Sequence, residues 1–457
     1  MYLKLFLTVI VISAFIYPDI LAVGKDEDSG WEKVPKLLAK IKPPKFPDHD
    51  YLISNYGAKG DGKTLCTGAI NDAIEACSKA GGGRVVVPKG EFLTGAIHLE
   101  SNVDLYISEG AILKFSTNPN DYLPIVFCRW EGVECMNYSP LIYAYGKKNI
   151  AVTGKGILDG QASDQNWWQW KKLSGDNNSR PRLMKMNDEN VPVRQRIFGA
   201  GYYLRPTFIE FNKCKNILIE GVSLKDSPFW FLHPILSTNI TIESVKTNSS
   251  GPNTDGCDPE SSSYILINKC EFNDGDDCIS IKSGRNNDGR RINIPCSNIV
   301  IQNCKMKDGH SGVAIGSEIT GGCRNVYTQD CEMDSPNLDR VLRIKSNAKR
   351  GGVVKNIYMR NIKVGQVSES IIRLTMGYDP EEAQGFRNYP VIQNIFMENV
   401  SSRKSKYALF FDGLPDSKIK RVHITNCNFN GVEDGNNILE SEDIKLNDVY
   451  INGKLIR

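Results

Sequence analysis

The second half of the chain repeats one short pattern, and this repeat restricts the fold more than any other feature. From about residue 215, runs such as KNILIEGV, TNITIESV and SNIVIQNC alternate apolar and polar residues and are often followed by asparagine and cysteine. The steps between the first apolar residues of eight such runs are 23, 25, 34, 27, 31, 38 and 27 residues. Those first residues are Ile217, Ile240, Ile265, Ile299, Val326, Ile357, Ile395 and Val422.

A short unit with insertions of variable length is typical of stacked coils that carry loops on one side. One such unit cannot bury its own apolar face, so neighbouring units must stack to form a core. The repeat therefore predicts an all-β chain folded as a parallel β-helix, and not a sheet with crossover helices.

One helix is predicted before the repeats. In the segment TGAINDAIEACSKA, residues 67–80, the small and apolar residues lie on one helical face, and three glycines end the pattern. We expect this helix to cap the open N-terminal end of the solenoid, where bare strand edges would otherwise invite aggregation. The residues of that face are Ala69, Ile70, Ala73, Ile74, Cys77 and Ala80.

Composition excludes several classes of protein. Hydrophobic residues make up 40%, which excludes wholesale disorder, and 56 basic against 53 acidic residues argue against a nucleic-acid-binding protein. Thirteen cysteines are too dilute for a disulfide scaffold, and only five histidines accompany them, so no metal site is expected. Four cysteines at equivalent places in their units predict a ladder of buried thiols, whereas Cys128 and Cys135 could form a local disulfide. The four are Cys270, Cys304, Cys331 and Cys427.

The N-terminus resembles an export signal. Residues 1–22 combine Lys4, an apolar run and a cleavage site ending at Ala22, which predicts a signal peptide and a secreted or periplasmic protein. The alternative is an uncleaved membrane anchor, although we expect no stable membrane association. Residues 23–50 are predicted to be a charged, proline-bearing leader, and residues 51–457 a single β-helix catalytic domain. A monomer is expected.

Four segments place charged residues within the repeats at coil-compatible spacing. Asp255 and Asp276 are 21 residues apart, Asp277 and His310 are 33 apart, and His310 and Arg343 are 33 apart. Because equivalent residues on successive coils lie about 4.8 Å apart, this spacing gathers three aspartates and a histidine into one patch. Arg343 and Lys345 share a face of the same strand and join that patch.

The chemistry of such a patch is general acid and base catalysis on an anionic substrate. Carboxylates one coil apart could reach the roughly 6.5–9.5 Å separation of inverting glycosidases, and Arg343 and Lys345 would hold an acidic group. The alternative is structural, because Asp-Gly sequences are common turns and a single histidine is often a satisfied structural residue. The shared spacing of the four segments favours the catalytic interpretation.

At these segments the sequence resembles the polygalacturonases of glycoside hydrolase family 28. The motifs are NTDGCD at 253–258, GDDCISIKSG at 275–284, GHSGVAIGSE at 309–318 and LRIKS at 342–346. Near the N-terminus, NYGAKGDGKT and GGGRVVVPKGEFLTGAI are similar to the opening of pectin-active β-helix proteins. The resemblance implies a single-stranded, right-handed, pectin lyase-like solenoid. One departure is Ser311, which stands where the family usually has glycine.

The resemblance also implies a role for each site residue. Asp276 would be the general acid, Asp255 and Asp277 would activate water, and His310 would tune the protonation of the acid. Arg343, Lys345 and Tyr378 would bind the substrate. The family inverts anomeric configuration without metal or cofactor, and it implies a pectic polysaccharide or oligogalacturonide as the substrate.

Two insertions favour an exo-acting enzyme that releases galacturonate from the non-reducing end. They are a long, irregular segment at residues 161–203 and the stretch RNNDGRRINIP at 285–295, and either could close one end of a cleft. The tryptophans at 167, 168 and 170 could stack on sugars or pack within their loop, and the arginines at 285, 290 and 291 could bind uronates or be solvated. Endo-polygalacturonase, rhamnogalacturonan or xylogalacturonan hydrolase, calcium-dependent pectate lyase and a non-enzymatic β-helix adhesin remain as alternatives.

Overall fold

A computed structural model describes residues 30–456, so the predicted signal peptide at 1–22 lies outside the described residues. Helices are few and short within this range, and none of them is long and apolar enough to cross a membrane. They are α1 Val34–Leu38, α2 Thr67–Lys79, α3 Trp170–Asp176, α4 Ser179–Asp188, α5 Asn286–Ile292 and α6 Pro380–Ala383.

Short strands make up most of the regular structure. The strands before the long insertion are β1 Asp50–Leu52, β2 Asp61–Leu65, β3 Gly83–Val87, β4 Gly90–Thr94, β5 Ile97–His98, β6 Val103–Ile107, β7 Ala111–Phe115, β8 Val126–Trp130, β9 Val133–Asn137, β10 Ile142–Tyr145, β11 Lys148–Gly154 and β12 Ile157–Asp159. Those after it are β13 Ile209–Asn212, β14 Lys215–Glu220, β15 Ser223–Lys225, β16 Leu232–Ile235, β17 Thr238–Glu243, β18 Lys246–Asn248, β19 Ser263–Asn268, β20 Glu271–Asn273, β21 Ile279–Ile281, β22 Cys296–Gln302, β23 Lys305–Met306, β24 Val313–Gly316, β25 Cys323–Gln329, β26 Glu332–Met333, β27 Arg340–Lys345, β28 Val353–Val364, β29 Ser370–Thr375, β30 Val391–Ser402, β31 Ser405–Asp412, β32 Ile419–Phe429, β33 Val432–Leu439, β34 Ser441–Ile451 and β35 Lys454–Ile456.

Strands of successive coils pair in parallel and form three ladders. The first ladder runs from β1 through β3, β6, β11, β14, β17, β19, β22, β25, β28, β30 and β32 to β34. The second runs from β2 through β4, β7, β12, β15, β18, β20 and β23 to β26, which pairs with β28. The third contains β5, β10, β13 and β16, then β21, β24, β27, β29, β31 and β33, and single bridges at Cys257 and Glu260 connect the two parts. The predicted parallel β-helix is confirmed.

The register of the first ladder follows the sequence repeat. The eight apolar residues at the repeat positions, from Ile217 to Val422, pair one above the other without a shift, and all are buried. The residue before each apolar position has a positive φ, and asparagine usually occupies it because its short polar side chain tolerates left-handed backbone. Stacked asparagine amides also bond between coils, as from Asn216 to Asn149 at 2.8 Å.

The cysteine ladder is confirmed. All thirteen cysteines are buried free thiols, and the thiols of Cys270, Cys304 and Cys331 each donate to the carbonyl two residues earlier in the chain. Cys427 occupies the same register three coils beyond Cys331, and Ile362 and Val400 occupy it on the two coils between them. Cysteine therefore acts here as a small buried apolar residue. Cys128 and Cys135, the candidate disulfide, lie opposite each other in the β8–β9 hairpin. Their Sγ atoms are 3.8 Å apart, and both cysteines are free thiols.

Two segments near the N-terminus pack on the solenoid. Helix α2 buries Ile70, Ala73, Ile74 and Cys77, and it contacts the first strands of the β-helix as the predicted cap. The segment predicted to be a leader is also ordered where it is described. Trp31 and Val34 pack in an apolar cluster on the outer face of the first ladder, because stacked aromatic residues on that face offer an apolar surface.

The long insertion at 161–203 contains α3 and α4, which the sequence analysis did not predict. Both helices are short and their apolar pattern is weak, and Pro181 falls in the first turn of α4, where it is tolerated. Trp167 and Trp170 are buried against Tyr122, Tyr138 and each other. Trp167 and Trp170 therefore anchor the insertion on the solenoid and are not free to stack on sugars. Trp168 donates from Nε1 to the carbonyl of Ser227, and none of the three tryptophans lines the cavity of the charged residues described below.

Candidate active site

The four charged segments meet at one edge of the third ladder. Asp276 and Asp277 directly precede β21, and His310 precedes β24 on the next coil, where its backbone N–H donates to the carbonyl of Asp276 at 3.0 Å. Asp255 lies one coil earlier, since the N–H of Gly256 donates to the carbonyl of Asp277 at 3.1 Å. The predicted coil spacing of these residues is confirmed, and it brings the three carboxyl groups together.

Two small residues make room for the cations. Arg343 and Lys345 lie on β27, and their partners on the preceding coil are Ala314 and Gly316. A Cβ atom on Gly316 would lie 2.1 Å from the carbonyl oxygen of Lys345, so this position requires glycine. With no long side chain on that coil, Lys345 reaches across it and donates from Nζ to Oδ2 of Asp277 at 2.8 Å.

The three carboxylates are closer together than the sequence analysis expected. Asp255, Asp276 and Asp277 each offer an oxygen, and these oxygens lie within 4.8 Å of one another. The expected separation was roughly 6.5–9.5 Å, and retaining enzymes have roughly 5–5.5 Å, so spacing alone does not establish the stereochemistry. Such a cluster could also hold a cation, but Lys345 and Lys282 already bring positive charge to it.

The environment of Asp276 couples its protonation to His310. Nδ1 of His310 lies 2.8 Å from Oδ1 of Asp276. Burial would raise the pKa of Asp276, but the hydrogen bond and charge of His310, together with the charge of Lys345, outweigh burial and hold that pKa below its usual range. The same bond raises the pKa of His310. The histidine side chain is half exposed, so the pair can exchange a proton with solvent.

The pKa values of the other two carboxyl groups are shifted in opposite directions. Burial would raise the pKa of Asp277, but Lys345 and Arg343 lower it well below its usual range. Burial raises the pKa of Asp255 well above its usual range, and the nearby carboxyl of Asp258 raises it further. One site thus contains a carboxylate that stays ionised and a second, more basic carboxyl group.

Lys282 is a site residue that the sequence analysis missed. Its Nζ lies 3.7 Å from Asp255, 3.3 Å from Asp258 and 3.4 Å from Glu318, and it stands 4.4 Å above the ring of Trp230. The side chain is 3% exposed, and the three acids raise its pKa despite that burial. Its sequence signal is a lysine that directly follows the short strand after the Asp-Asp pair, in the alternation position of an outward-facing residue.

Tyr378 lies where the resemblance implies a substrate-binding tyrosine. Its ring centroid is 5.6 Å from the guanidinium of Arg343 and 5.8 Å from Nζ of Lys345, and all three residues line one cavity of about 380 Å³. Asp255, Asp276 and His310 line the same cavity. Every predicted site residue except Asp277 is on the cavity wall, and Asp277 is bonded to Lys345 directly behind it.

A chain of alternating charges joins four insertions at one side of this cavity, and all of its residues except Glu382 line the cavity. Glu131, at the tip of the β8–β9 hairpin, accepts from Arg180 of α4 at 2.9 Å and from Arg285 at 3.0 Å. Glu382 of α6 then accepts from Arg285 at 3.1 Å and from Arg350 at 2.6 Å. We call these five residues the end wall. It was not predicted, because it links segments that are distant in sequence.

The arginines of the 285–295 stretch have different positions. Arg285 belongs to the end wall, whereas Arg290 donates to the carbonyl of Lys349 and Arg291 pairs with Glu134 at 2.6 Å. Neither Arg290 nor Arg291 lines the cavity. The interpretation as uronate-binding residues is therefore kept for Arg285 alone.

Ser311 fits the turn that carries His310. Its side chain is fully buried, and its carbonyl accepts from the N–H of Cys278 on the previous coil at 2.8 Å. The strict requirement for glycine falls on the next residue, since a Cβ on Gly312 would lie 2.4 Å from the sulfur of Met333. Serine at 311 thus leaves the backbone connection between these coils intact.

Comparison with known proteins agrees with this geometry. The sequence pattern of Glycosyl hydrolases family 28 matches residues 201–452. A hyperthermoactive exopolygalacturonase of Thermotoga maritima superposes with a TM-score of 0.89 at 39% identity, over 93% of this chain and 97% of that one. A probable polygalacturonase of Vitis vinifera is 29% identical over 83% of this chain and 74% of its own length. An endo-polygalacturonase of Pectobacterium parmentieri is 27% identical over 89% and 92%.

The match to the family pattern covers more than half of the chain, and it includes all four charged segments of the cavity. The structural likeness extends over nearly the whole length of both proteins. The chain is a glycoside hydrolase and belongs to family 28.

Proposed function

We propose that the protein hydrolyses α-1,4-galacturonosyl linkages of polygalacturonate and releases galacturonate from the non-reducing end. The observation that carries this proposal is the cavity lined by Asp255, Asp276, Arg343 and Lys345, with Asp277 hydrogen-bonded to Lys345 directly behind it. An acidic sugar supplies the carboxylate that two adjacent cations bind well, and a glycosidic bond is the linkage that paired carboxyl groups cleave. The polygalacturonase names of the relatives support the same substrate class.

Substrate binding is assigned to the cationic side of the cavity. Arg343 offers a planar fork of donors that fits a galacturonate carboxylate, and Lys345 adds a second charge. The ring of Tyr378 lies beside the charged ends of both side chains, so it helps to hold the two cations in place and lines the sugar site. Lys345 also holds Asp277 in place, which links the bound uronate to the position of the reacting groups.

Proton delivery is assigned to the pair Asp276 and His310. The proton shared by this pair moves through Asp276 to the glycosidic oxygen as the bond from that oxygen to the anomeric carbon breaks. His310 is open to solvent and returns a proton to the pair after each turnover. This arrangement explains how a carboxyl group with a lowered pKa can act as the acid.

Water activation is assigned to Asp255 and Asp277. A water molecule adds its oxygen to the anomeric carbon and gives up a proton, and Asp255 is the more basic of the two acceptors. Asp277 stays ionised and orients the same water through hydrogen bonding. With acid and base on opposite sides of the sugar, the product would have inverted configuration.

The end wall supports cleavage from a chain end. Glu131, Arg180 and Arg285 close one side of the cavity, and they come from a hairpin, a helix and a loop that project from the coils. A closed cavity accepts a terminal sugar, whereas a long internal segment needs a groove that is open at both ends. We assign the end wall as the barrier that makes the enzyme exo-acting.

Product chromatography on polygalacturonate tests this function. We expect monogalacturonate from the earliest time points with slow loss of viscosity, and a Glu131→Ala, Arg180→Ala double variant should begin to release mixed oligomers. Mixed oligomers from the unaltered enzyme would overturn exo cleavage in favour of endo-polygalacturonase. Faster turnover of rhamnogalacturonan or xylogalacturonan would reassign the substrate. EDTA-sensitive activity with an unsaturated, ultraviolet-absorbing product would instead identify a lyase.

The remaining assignments concern the whole chain. We assign residues 1–22 as a cleaved signal peptide, residues 51–457 as the catalytic unit, and the mature protein as an exported monomer. N-terminal sequencing of secreted protein should begin after residue 22. A light-scattering mass near that of one chain is expected, and a dimer mass or a retained N-terminus would contradict these assignments.

A further inference from the structure

A second groove lies away from the catalytic cavity. It has a volume of about 610 Å³ and runs along the N-terminal ends of β11, β14, β17 and β19, which belong to the first ladder. The catalytic residues lie on the third ladder. One side of the groove is formed by residues 40–45, which we call the strap, and the floor is formed by stacked asparagine amides.

The groove is strongly basic. Lys40, Lys42 and Lys45 of the strap and Lys215 of β14 line it, whereas no aspartate or glutamate does. All four lysines are exposed. Across residues 30–456, no carboxylate lies within 4.0 Å of any of them, whereas the solenoid lysines Lys269, Lys307 and Lys420 each pair with a glutamate. The chain as a whole carries only +3, so this concentration of charge is local.

An aromatic residue interrupts the asparagine ladder at the groove. Asn216, Asn239 and Asn298 occupy the ladder position on their coils with φ near 60°, and Tyr264 occupies the same position with φ 56°. A bulky side chain rarely adopts this backbone conformation, and such outliers concentrate at functional sites. The ring of Tyr264 lines the groove with Nζ of Lys40 5.6 Å from its centroid.

The strap is held in a fixed position. The N–H of Lys42 donates to Oδ1 of Asn239 at 2.8 Å, and Nδ2 of Asn239 donates back to the carbonyl of Lys42 at 2.7 Å. Pro43 and Pro44 follow directly and restrict the backbone further. The upstream end is anchored by the buried Trp31. Because the lysines are presented by a preorganised segment, binding a ligand requires little ordering.

We propose that this groove is a second, non-catalytic site that binds oligogalacturonate. A chain of uronates offers one carboxylate per sugar to the lysines, and the apolar face of a pyranose ring fits against Tyr264. The groove crosses four coils, about 14 Å, so it accommodates more than one sugar. The site retains long acidic chains on the protein while their ends enter the catalytic cavity. This inference rests on the proposed substrate class.

Calorimetric titration with decagalacturonate tests the site directly. The titration uses the Asp276→Asn variant, in which we expect chain cleavage to be blocked, and we expect two sites at low salt. Adding Tyr264→Asn and Lys215→Gln should remove one site or weaken it at least about tenfold. Asparagine fits the ladder at 264, so the melting temperature should not fall. The matched control replaces the exposed Lys171 and Lys172 of α3 by glutamine and should keep both sites.

Kinetics in the active enzyme separate this site from the proposed function. The Tyr264→Asn, Lys215→Gln enzyme should hydrolyse trigalacturonate at the rate of the unaltered enzyme. Its KM for long polygalacturonate should be higher than that of the unaltered enzyme at low salt, and the two KM values should become equal at high salt. If the Asp276→Asn protein shows one binding site both with and without the groove substitutions, or if KM is unchanged, the groove is not a binding site. The proposed function is left intact by either result. Decagalacturonate binding in the groove without any hydrolysis would overturn the function instead. Equal affinity for a DNA oligomer would show a generic polyanion surface and overturn the assignment to uronates.

Discussion

The buried Lys282 provides the sharpest test of how the site is stabilised. This ammonium group is 3% exposed and stands between Asp255, Asp258 and Glu318, each within 4.0 Å. A Lys282→Met substitution keeps the length of the side chain and its contact with Trp230, but it removes the positive charge. Three buried carboxyl groups then lose the partner that they share.

The expected loss can be worked out from this environment. Removing one member of a buried ion pair costs about 3–5 kcal/mol, because the remaining charge stays desolvated. A chain of this length has a melting entropy of roughly 0.9 kcal/mol/K, so the melting temperature should fall by about 3–6 °C at pH 7. Burial raises the pKa values of Asp255 and Asp258 even beside the lysine, and these pKa values rise further without it, whereas Glu318 keeps Arg285 as a partner. The folded variant therefore binds more protons than the unfolded chain, and its stability falls as pH rises.

Thermal unfolding at pH 7 and pH 4 measures this effect. At lower pH Asp255 and Asp258 of the variant bind protons and lose their unpaired charge, so the difference from the unaltered protein should shrink at pH 4. The control is Lys225→Met, which removes an ion pair with Asp159 at 3.0 Å in which the lysine is 43% exposed. That change should cost less than about 1 kcal/mol at either pH. An equal loss for Lys282→Met at both pH values, or a loss no larger than the control, would refute the reasoning.

Four further predictions concern catalysis on polygalacturonate. Asp276→Asn should lower kcat by about 10²–10⁴ in a reducing-sugar assay, and a folded variant with the unaltered rate would disprove its role as the acid. Lys345→Met should lower kcat/KM at least about 30-fold, because it breaks a buried charge pair with Asp277 that is worth about 2–5 kcal/mol; a change below threefold would contradict this. Because Asp276 raises the pKa of His310, the stabilising pair is complete below pH ~6.5 and is lost as pH rises through the folded pKa. His310→Gln should therefore lower the melting temperature at pH 5 but not at pH 9. The same change should remove the alkaline limb of the pH profile of kcat. Equal losses of melting temperature at both pH values would argue against this ion pair. Proton NMR of the first product should show the β-anomer from the α-linked substrate, and an initial α-anomer would overturn inversion.

The periodic part of the protein was predictable because its physics is local and repeated. Ile217, Ile240 and Ile265 stack in register, and their sequence spacing already required coils, since no single unit can bury such a strand. The same spacing placed Asp276 and His310 on successive coils. The helices α3 and α4 were not predicted, because each is too short and polar for its periodicity to stand out. The predicted separation of the carboxyl groups was wrong, because the direction of the side chains sets this distance and coil spacing does not.

The sequence by itself determined the solenoid, its capping helix, the cysteine ladder and the identity of the six charged residues that gather on one flank. Each of these follows from residue spacing, which a stacked coil converts directly into spatial proximity. Only the tertiary structure placed Lys282 among three buried acids and joined Glu131, Arg180 and Arg285 into the end wall. Burial and long-range ion pairing depend on how insertions fold back over the coils. No periodicity along the chain encodes that packing, so the groups that shape the cavity became visible only in three dimensions.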